Sequence, residues 1–242
     1  MSILSEQEEL RYNRQIILPA IDFAGQEQLK TSQMLIVGLG GLGCAASQYL
    51  ATAGVGTLIL LDFDKVSLSN LQRQVLHNDS RINMAKVDSA KQSLMALNPH
   101  LNVHTINRHL NEQELLALIC QVDVVLDCTD NLDSRRLLDR CCQQHKTPLI
   151  SGAAIRMEGQ VSVFTYQPHT PTYQDLSRLF GESPLSCVEN GVLAPIVGIV
   201  GTIQALEAIK VRLNIGKNLV GRLLLIDGMR MQFKEIVIPV QR

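Results

Sequence analysis

The stretch Met34–Gly43, read together with Leu58–Asp64, limits what this chain can fold into more than any other. Met34-Leu35-Ile36-Val37 is an unbroken apolar run, Gly38-Leu39-Gly40-Gly41-Leu42-Gly43 follows it, and a second apolar run from Leu58 to Leu61 ends on Asp62-Phe63-Asp64. Short apolar runs bounded by glycine read as strands buried on both faces. Gly38, Gly40 and Gly43 fit G-x-G-x-x-G, and Asp62 falls roughly 20 residues further on, the spacing of a nucleotide-binding βαβ unit. Glycines let backbone approach phosphate, a helix N-terminus favours anions, and the acid accepts hydrogen bonds from a ribose. The motif says nucleotide without saying which, and a lone glycine turn is weak evidence for NAD.

The rest of the chain extends the βαβ pattern. Cys44 to Thr52 reads as a helix whose small residues allow close packing on a sheet. Ser67 to Gln74 is polar and short, a helical turn within a loop beyond the second strand. Ala85 to Leu97 has apolar residues at helical spacing and stops at Asn98-Pro99. A third strand around Leu101 to Ile106, a helix capped by Asn111, a fourth strand over Val122–Leu126, a helix from Leu132 to Gln144 and a fifth strand from Pro148 follow. Such alternation predicts a Rossmann-like, doubly wound, mostly parallel α/β sheet. The pattern then changes. Gln160 to Tyr166 alternates like an antiparallel strand, the segment 167–191 reads as a long crossover loop, and Pro195 to Arg212 as a helix. Leu223–Ile226 and Gln232–Ile238 close the sheet as antiparallel strands. Ahead of the first strand, residues 1–33 form a helical arm outside any βαβ unit, opened by the capping-box pattern Ser5-x-x-Glu8, with Asp22 able to cap a second short helix. We expect one domain over residues 1–242.

With 242 residues, 46% apolar and 19% charged, the chain suits a globular fold with a sizeable core. A formal net charge of −1 and 4% aromatic residues give no electrostatic or stacking case for nucleic acid or a membrane surface. The polar run Met1 to Arg14 does not look like a secretory leader, and the apolar stretch Val192–Leu206 is too short to span a bilayer. The six cysteines show no C-x-x-C pair, which suits reduced thiols in a cytoplasmic protein.

Downstream of Asp62, Arg73 and Lys86 lie where a phosphate chain would run, and Asp130 stands just past the fourth strand's carboxyl end. Singly, each has a bland reading as a surface charge or a helix cap. Together around one glycine turn they favour a nucleoside triphosphate over NAD, because a triphosphate needs cations and an acid for magnesium.

The same residues carry a more specific likeness. Arg14, Gly38–Gly43, Asp62-Phe-Asp64, Ser69-Asn-Leu-Gln-Arg73-Gln74, Lys86, Asp130-Asn131, Ser151-Gly-Ala-Ala154, Gly159-Gln160 and Phe180-Gly-Glu182 occur in order. The chain thereby resembles the MoeB/ThiF/HesA family, bacterial relatives of ubiquitin-activating enzymes, over nearly its whole length. It looks closest to the branch that activates the small subunit of molybdopterin synthase in molybdenum-cofactor synthesis.

The resemblance implies an ATP- and Mg²⁺-dependent adenylyltransferase acting on the C-terminal glycine carboxylate of a ubiquitin-like sulfur carrier, MoaD-like or ThiS-like. It implies that Asp62 holds the ribose, that Asn70, Arg73 and Lys86 contact the phosphates, and that Asp130 holds magnesium. Arg14 would reach the partner subunit's site in a homodimer. Gly38, Gly40, Gly41, Gly43, Asp64, Ser69, Gln74 and Asn131 would complete the nucleotide site.

Two positions stand apart from the family pattern. Many members bind a structural zinc through two C-x-x-C pairs; here Thr172 and Asp175 stand where the first pair would be, and the chain ends Pro239-Val-Gln-Arg242. We expect no zinc. Cys187 occupies the position of a reactive cysteine in thiamin-pathway relatives, so the alternative is ThiF-like adenylation with sulfur transfer through Cys187 from a sulfur donor. Its neighbours Glu182 and Glu189 are acidic, which does not favour a thiolate. An NAD(P)-binding oxidoreductase and a non-catalytic scaffold are the remaining readings.

Overall fold

The computed structural model describes residues 3–179 and 191–240. Its sheet has the order β3-β2-β1-β4-β5-β6-β7-β8. β1 (Gln33–Val37), β2 (Thr57–Leu61), β3 (Asn102–Ile106), β4 (Val124–Asp127) and β5 (Leu149–Ile155) run parallel, with Leu35 paired to Ile59 on one side and to Val125 on the other. β6 (Glu158–Phe164), β7 (Arg222–Asp227) and β8 (Gln232–Val237) extend it antiparallel. The central parallel strands are apolar because both their faces are covered. Met34 and Ile36 join one core cluster, while Leu35 and Val125 join the other on the opposite face.

The helices are α1 (Glu6–Ile16), α2 (Asp22–Lys30), α3 (Gly41–Thr52), α4 (Lys86–Leu97), α5 (Glu112–Ile119), α6 (Leu132–His145), α7 (Tyr173–Ser177) and α8 (Ala194–Leu213). α8 is long and apolar enough by length and composition to cross a membrane. Here it packs on the same sheet face as α3, burying Ile196, Val197, Val200, Ala205 and Ala208. The arm is docked by Tyr12, whose hydroxyl accepts from Asn98 Nδ2 at 2.8 Å, and by Gln15, which donates to the Ala53 carbonyl at 2.9 Å. The expected capping box is present: Ser5 Oγ accepts from Glu8 N, and Glu8 Oε2 from Ser5 N. Asp22 begins α2, its Oδ1 accepting from the N–H groups of Ala24 and Gly25.

Ser151-Gly-Ala-Ala154 belongs to β5, which continues to Ile155 and hairpins into β6. Its small residues leave room for Gln204 of α8, whose Nε2 donates to the carbonyls of Asp127 and Ile150. The segment 167–191 is not all loop: Thr172 opens the one-turn helix α7.

Candidate active site

A cavity of about 920 Å³ opens at the carboxyl ends of the parallel strands. It lies over β1 and β4, where the chain order reverses and open α/β sheets place their ligands. Its floor is the glycine turn. Gly38 has φ +93°, and a Cβ there would sit 2.7 Å from the Cys128 carbonyl oxygen. Gly43 meets the turn from inside α3, where a Cβ would fall 1.9 Å from the Gly38 carbonyl oxygen, so helix and strand touch backbone to backbone. Gly38, Gly40 and Gly41 line the cavity, whereas Gly43 is buried beneath it.

At the end of β2, Asp62 is buried, with Oδ2 accepting from Leu39 N at 2.6 Å and Oδ1 from Asp64 N at 2.8 Å. Burial pushes its carboxyl up, against the Lys86 charge and the two N–H groups that favour the ionised form. Asp62 lines the cavity, and each of its oxygens keeps acceptor capacity beyond the one N–H it already binds. Lys86, the first residue of α4, is itself buried and places Nζ 2.8 Å from Asp64 Oδ2.

The polar turn after β2 is a 3₁₀ helix over Leu68–Asn70, closed by a reciprocal Ser67–Asn70 capping box. It delivers Asn70, Arg73 and Gln74 to the cavity wall. The Arg73 guanidinium donates to the Ser69 carbonyl at 3.2 Å. Gln74 is buried, and its Oε1 has no hydrogen-bond partner. A buried orphan acceptor on a cavity wall points to a ligand donor. Across the cavity, Asp130 is exposed at the end of β4, and Asn131 caps α6 by accepting from Ser134 N at 2.9 Å.

Of the sequence-predicted residues, the cavity thus gathers Gly38, Gly40, Gly41, Asp62, Asp64, Asn70, Arg73, Gln74, Lys86, Asp130 and Asn131. Ser69 lies beside it, its hydroxyl 3.0 Å from that of Ser67. Arg14 is exposed in the last turn of α1 and is not among the lining residues. Cys187 and Phe180–Glu182 fall outside the described residues.

The sequence reading missed the far wall. Phe63, half exposed, stacks on His109 with ring centroids 3.6 Å apart, next to Arg108. Phe63 sits inside a motif singled out for its acids, while His109 is distant in sequence and lacks any ligand spacing. Asp127 was also missed: fully buried, it accepts from Thr129 N at 3.0 Å and from Ser151 Oγ at 3.0 Å, fixing the strand end beneath Asp130.

The donor set suits magnesium. One open carboxylate, Asp130, faces a cavity that would also hold substrate phosphates, and Mg²⁺ is commonly held by one or two carboxylates plus phosphate. Zinc does not fit at Thr172 and Asp175. Thr172 Oγ1 caps Asp175 N at 3.3 Å and Asp175 Oδ2 accepts from Thr172 N at 2.9 Å, so the two side chains complete a capping box. Among the described residues, no group of three or more His, Cys, Asp or Glu could hold a metal. Nor are the described buried thiols poised as nucleophiles: burial pushes Cys44 up to about 12 and Cys141 up to about 11.

The ThiF family model matches residues 12–242. The molybdopterin-synthase adenylyltransferase of Haemophilus influenzae is 71% identical over 236 residues, covering 98% of this chain and 97% of the relative. The Escherichia coli protein of the same name is 58% identical over 236 residues, covering 98% of this chain and 95% of the relative. A crystal structure of PaaA superimposes with a TM-score of 0.84 at 27% identity, covering 98% of this chain and 76% of that one.

Proposed function

The chain belongs to the ThiF family, and on that premise we propose that it adenylates the C-terminal glycine carboxylate of a ubiquitin-like sulfur carrier, the small subunit of molybdopterin synthase. The observation that carries this reading is the convergence of Asn70, Arg73, Gln74, Lys86 and Asp130 on the cavity whose wall holds Asp62. A dehydrogenase has no use for that many phosphate-directed groups, since backbone amides hold its pyrophosphate.

In the reaction, a carrier carboxylate oxygen bonds to the α-phosphorus of ATP while the bond to the pyrophosphate oxygen breaks. Pyrophosphate leaves and the acyl-adenylate remains. The attacking carboxylate is already ionised, so no general base is needed. Catalysis is positioning and charge dispersal. Asp62 accepts from the ribose hydroxyls and fixes the sugar. Arg73 and Lys86 draw charge off the phosphates, and Asn70 and Gln74 orient them. Mg²⁺ held by Asp130, when bound, neutralises the triphosphate further. Lys86 must exchange Asp64 for phosphate or share itself between them, which keeps its ammonium held in place before ATP arrives.

The enzyme acts as a cytoplasmic homodimer, with Arg14 serving the partner's site. Exposed Leu10, Ile17, Leu18 and Phe23 around it support an arm that packs on a second copy. Carrier-dependent ATP–pyrophosphate exchange tests the assignment. Arg73→Ala and Asp130→Ala abolish exchange while thermal unfolding stays close to that of the parent; near-normal exchange in either variant counts against it. Titrating NAD in parallel with ATP separates the oxidoreductase reading, since only ATP binds.

A further inference from the structure

Beneath the cavity lies a buried group of side chains that the adenylation scheme does not use: Cys44, His77 and Ser89. His77 and Cys44 reach the glycine turn, and Ser89 holds the far side of the histidine. His77 Nε2 lies 3.2 Å from the Leu39 carbonyl oxygen, and the Cys44 thiol donates to the same oxygen at 3.4 Å. On the other side of the ring, His77 Nδ1 lies 2.9 Å from Ser89 Oγ. Cys44 Sγ also lies 3.7 Å from Nε2, but the nearer partner is a carbonyl, which only accepts, so we assign the proton to Nε2 and the acceptor role to Nδ1, facing the serine hydroxyl. Burial lowers the His77 pKa and favours this neutral form.

The geometry has a directional consequence. Every described peptide bond is trans, and in a trans peptide the C=O and the following N–H point opposite ways. The Leu39 carbonyl is drawn inward by His77 and Cys44, so the N–H of Gly40 is turned outward. Gly40 lines the cavity. The preceding peptide is held separately, by Leu39 N donating to Asp62 at 2.6 Å. Two successive peptides of the turn are therefore clamped by different side chains, one on the ribose acid and one on His77.

We propose that His77, oriented by Ser89, is a positioning residue that aims the Gly40 N–H at the nucleotide's phosphate. This rests on the adenylyltransferase reading. His77 touches neither substrate nor reacting atoms; it acts through the Leu39–Gly40 peptide. Losing it lets that peptide rotate and turns a preorganised donor into a mobile one, at a cost in ATP binding and not in carrier binding.

The test combines exchange kinetics with NMR on the full chain. His77→Ala raises the KM for ATP at least about tenfold and leaves the KM for the carrier unchanged. His77→Gln, whose side-chain amide can still donate to Leu39, recovers most of the loss, and Ser89→Ala falls between. In the parent protein, imidazole nitrogen shifts report the Nε2–H tautomer, and the Gly40 amide resonance moves on addition of a non-hydrolysable ATP analogue. An Nδ1–H tautomer in the parent protein, a readout that needs no variant to fold, or a folded His77→Ala protein with an unchanged KM for ATP, overturns the proposal. A parent protein that neither binds ATP nor exchanges pyrophosphate overturns the functional reading itself, so the two failures are told apart.

Discussion

Gln74 carries a buried acceptor that the fold itself leaves unmet. Its Oε1 is buried without a partner, an arrangement that costs about 1–3 kcal/mol in the empty protein. Replacing it with the similarly sized but apolar Met removes that cost. Gln74→Met is therefore as stable as the parent or slightly more so in urea, while its affinity for ATP falls about tenfold. A variant that loses stability and keeps its affinity would place Gln74 in the packing and not in the site. Gln74→Glu sets a carboxylate beside the phosphates and weakens ATP further, and added salt recovers part of that loss by screening. At this scale the sequence was informative wherever a residue's type is unusual for its place. A glycine turn, an acid at a strand end and a lysine opening a helix are legible by spacing alone. Phe63 on His109 and the His77–Leu39 contact were not, because they join residues 46 and 38 positions apart through the fold.

Among the elements, α1 and α7 each depend on a carboxylate, in opposite electrostatic settings. Burial pushes the Glu8 carboxyl up, but its bonds to the Lys30 ammonium and to the Ser5 N–H and hydroxyl outweigh this and bring it down to about 2. Because the folded value lies below the unfolded one, the stabilisation is fully present above about pH 4.5 and is lost as pH falls toward about 2. Glu8→Gln is accordingly less stable at neutral pH, and its urea midpoint falls less steeply across that acid window. Parallel slopes in the two proteins would contradict this. For α7 the anchor is Asp139, buried in α6, which accepts from the Tyr166 hydroxyl at 2.9 Å, Tyr173 N at 3.0 Å and Gln174 N at 3.2 Å. Together with the Thr172–Asp175 capping box it ties down the segment 172–177, of which Tyr173 and Ser177 line the cavity. That anchor is an acid in α6, far along the chain, which no local pattern announces. Asp139→Ala strands three donors, costs about 3 kcal/mol and speeds hydrogen exchange at 172–177. Chelators leave the parent's melting curve unmoved; a drop in stability with release of stoichiometric zinc would refute the hydrogen-bonded account.

For the molecule as a whole, strand and helix alternation made the sheet legible, because parallel strands buried on both faces must be apolar and must be joined by crossovers. Where β5 hairpins into β6 the pairing turns antiparallel, and Gly152 of that strand is small because Gln204 of α8 lies against it. The site was legible because its residues follow one another around a single switch point. Arg14 is the exception: it is exposed on α1, away from the cavity walls that its own chain builds. Its neighbours Leu10, Ile17, Leu18 and Phe23 form an exposed apolar surface, with a hollow of about 310 Å³ lined in part by Leu10, Ile17 and Phe23. An arginine on an apolar arm suits delivery into a second copy's site, where a fixed positive charge disperses the charge that builds on the phosphates. Arg14→Ala and Asp130→Ala, each inactive alone, then complement each other. In a mixed dimer one site contains an intact Asp130 together with an intact Arg14 from the other chain, and about a quarter of parental exchange activity returns when random mixing is complete. If mixed dimers form, as seen by differently tagged chains purifying together, and no activity returns, Arg14 does not act across the interface.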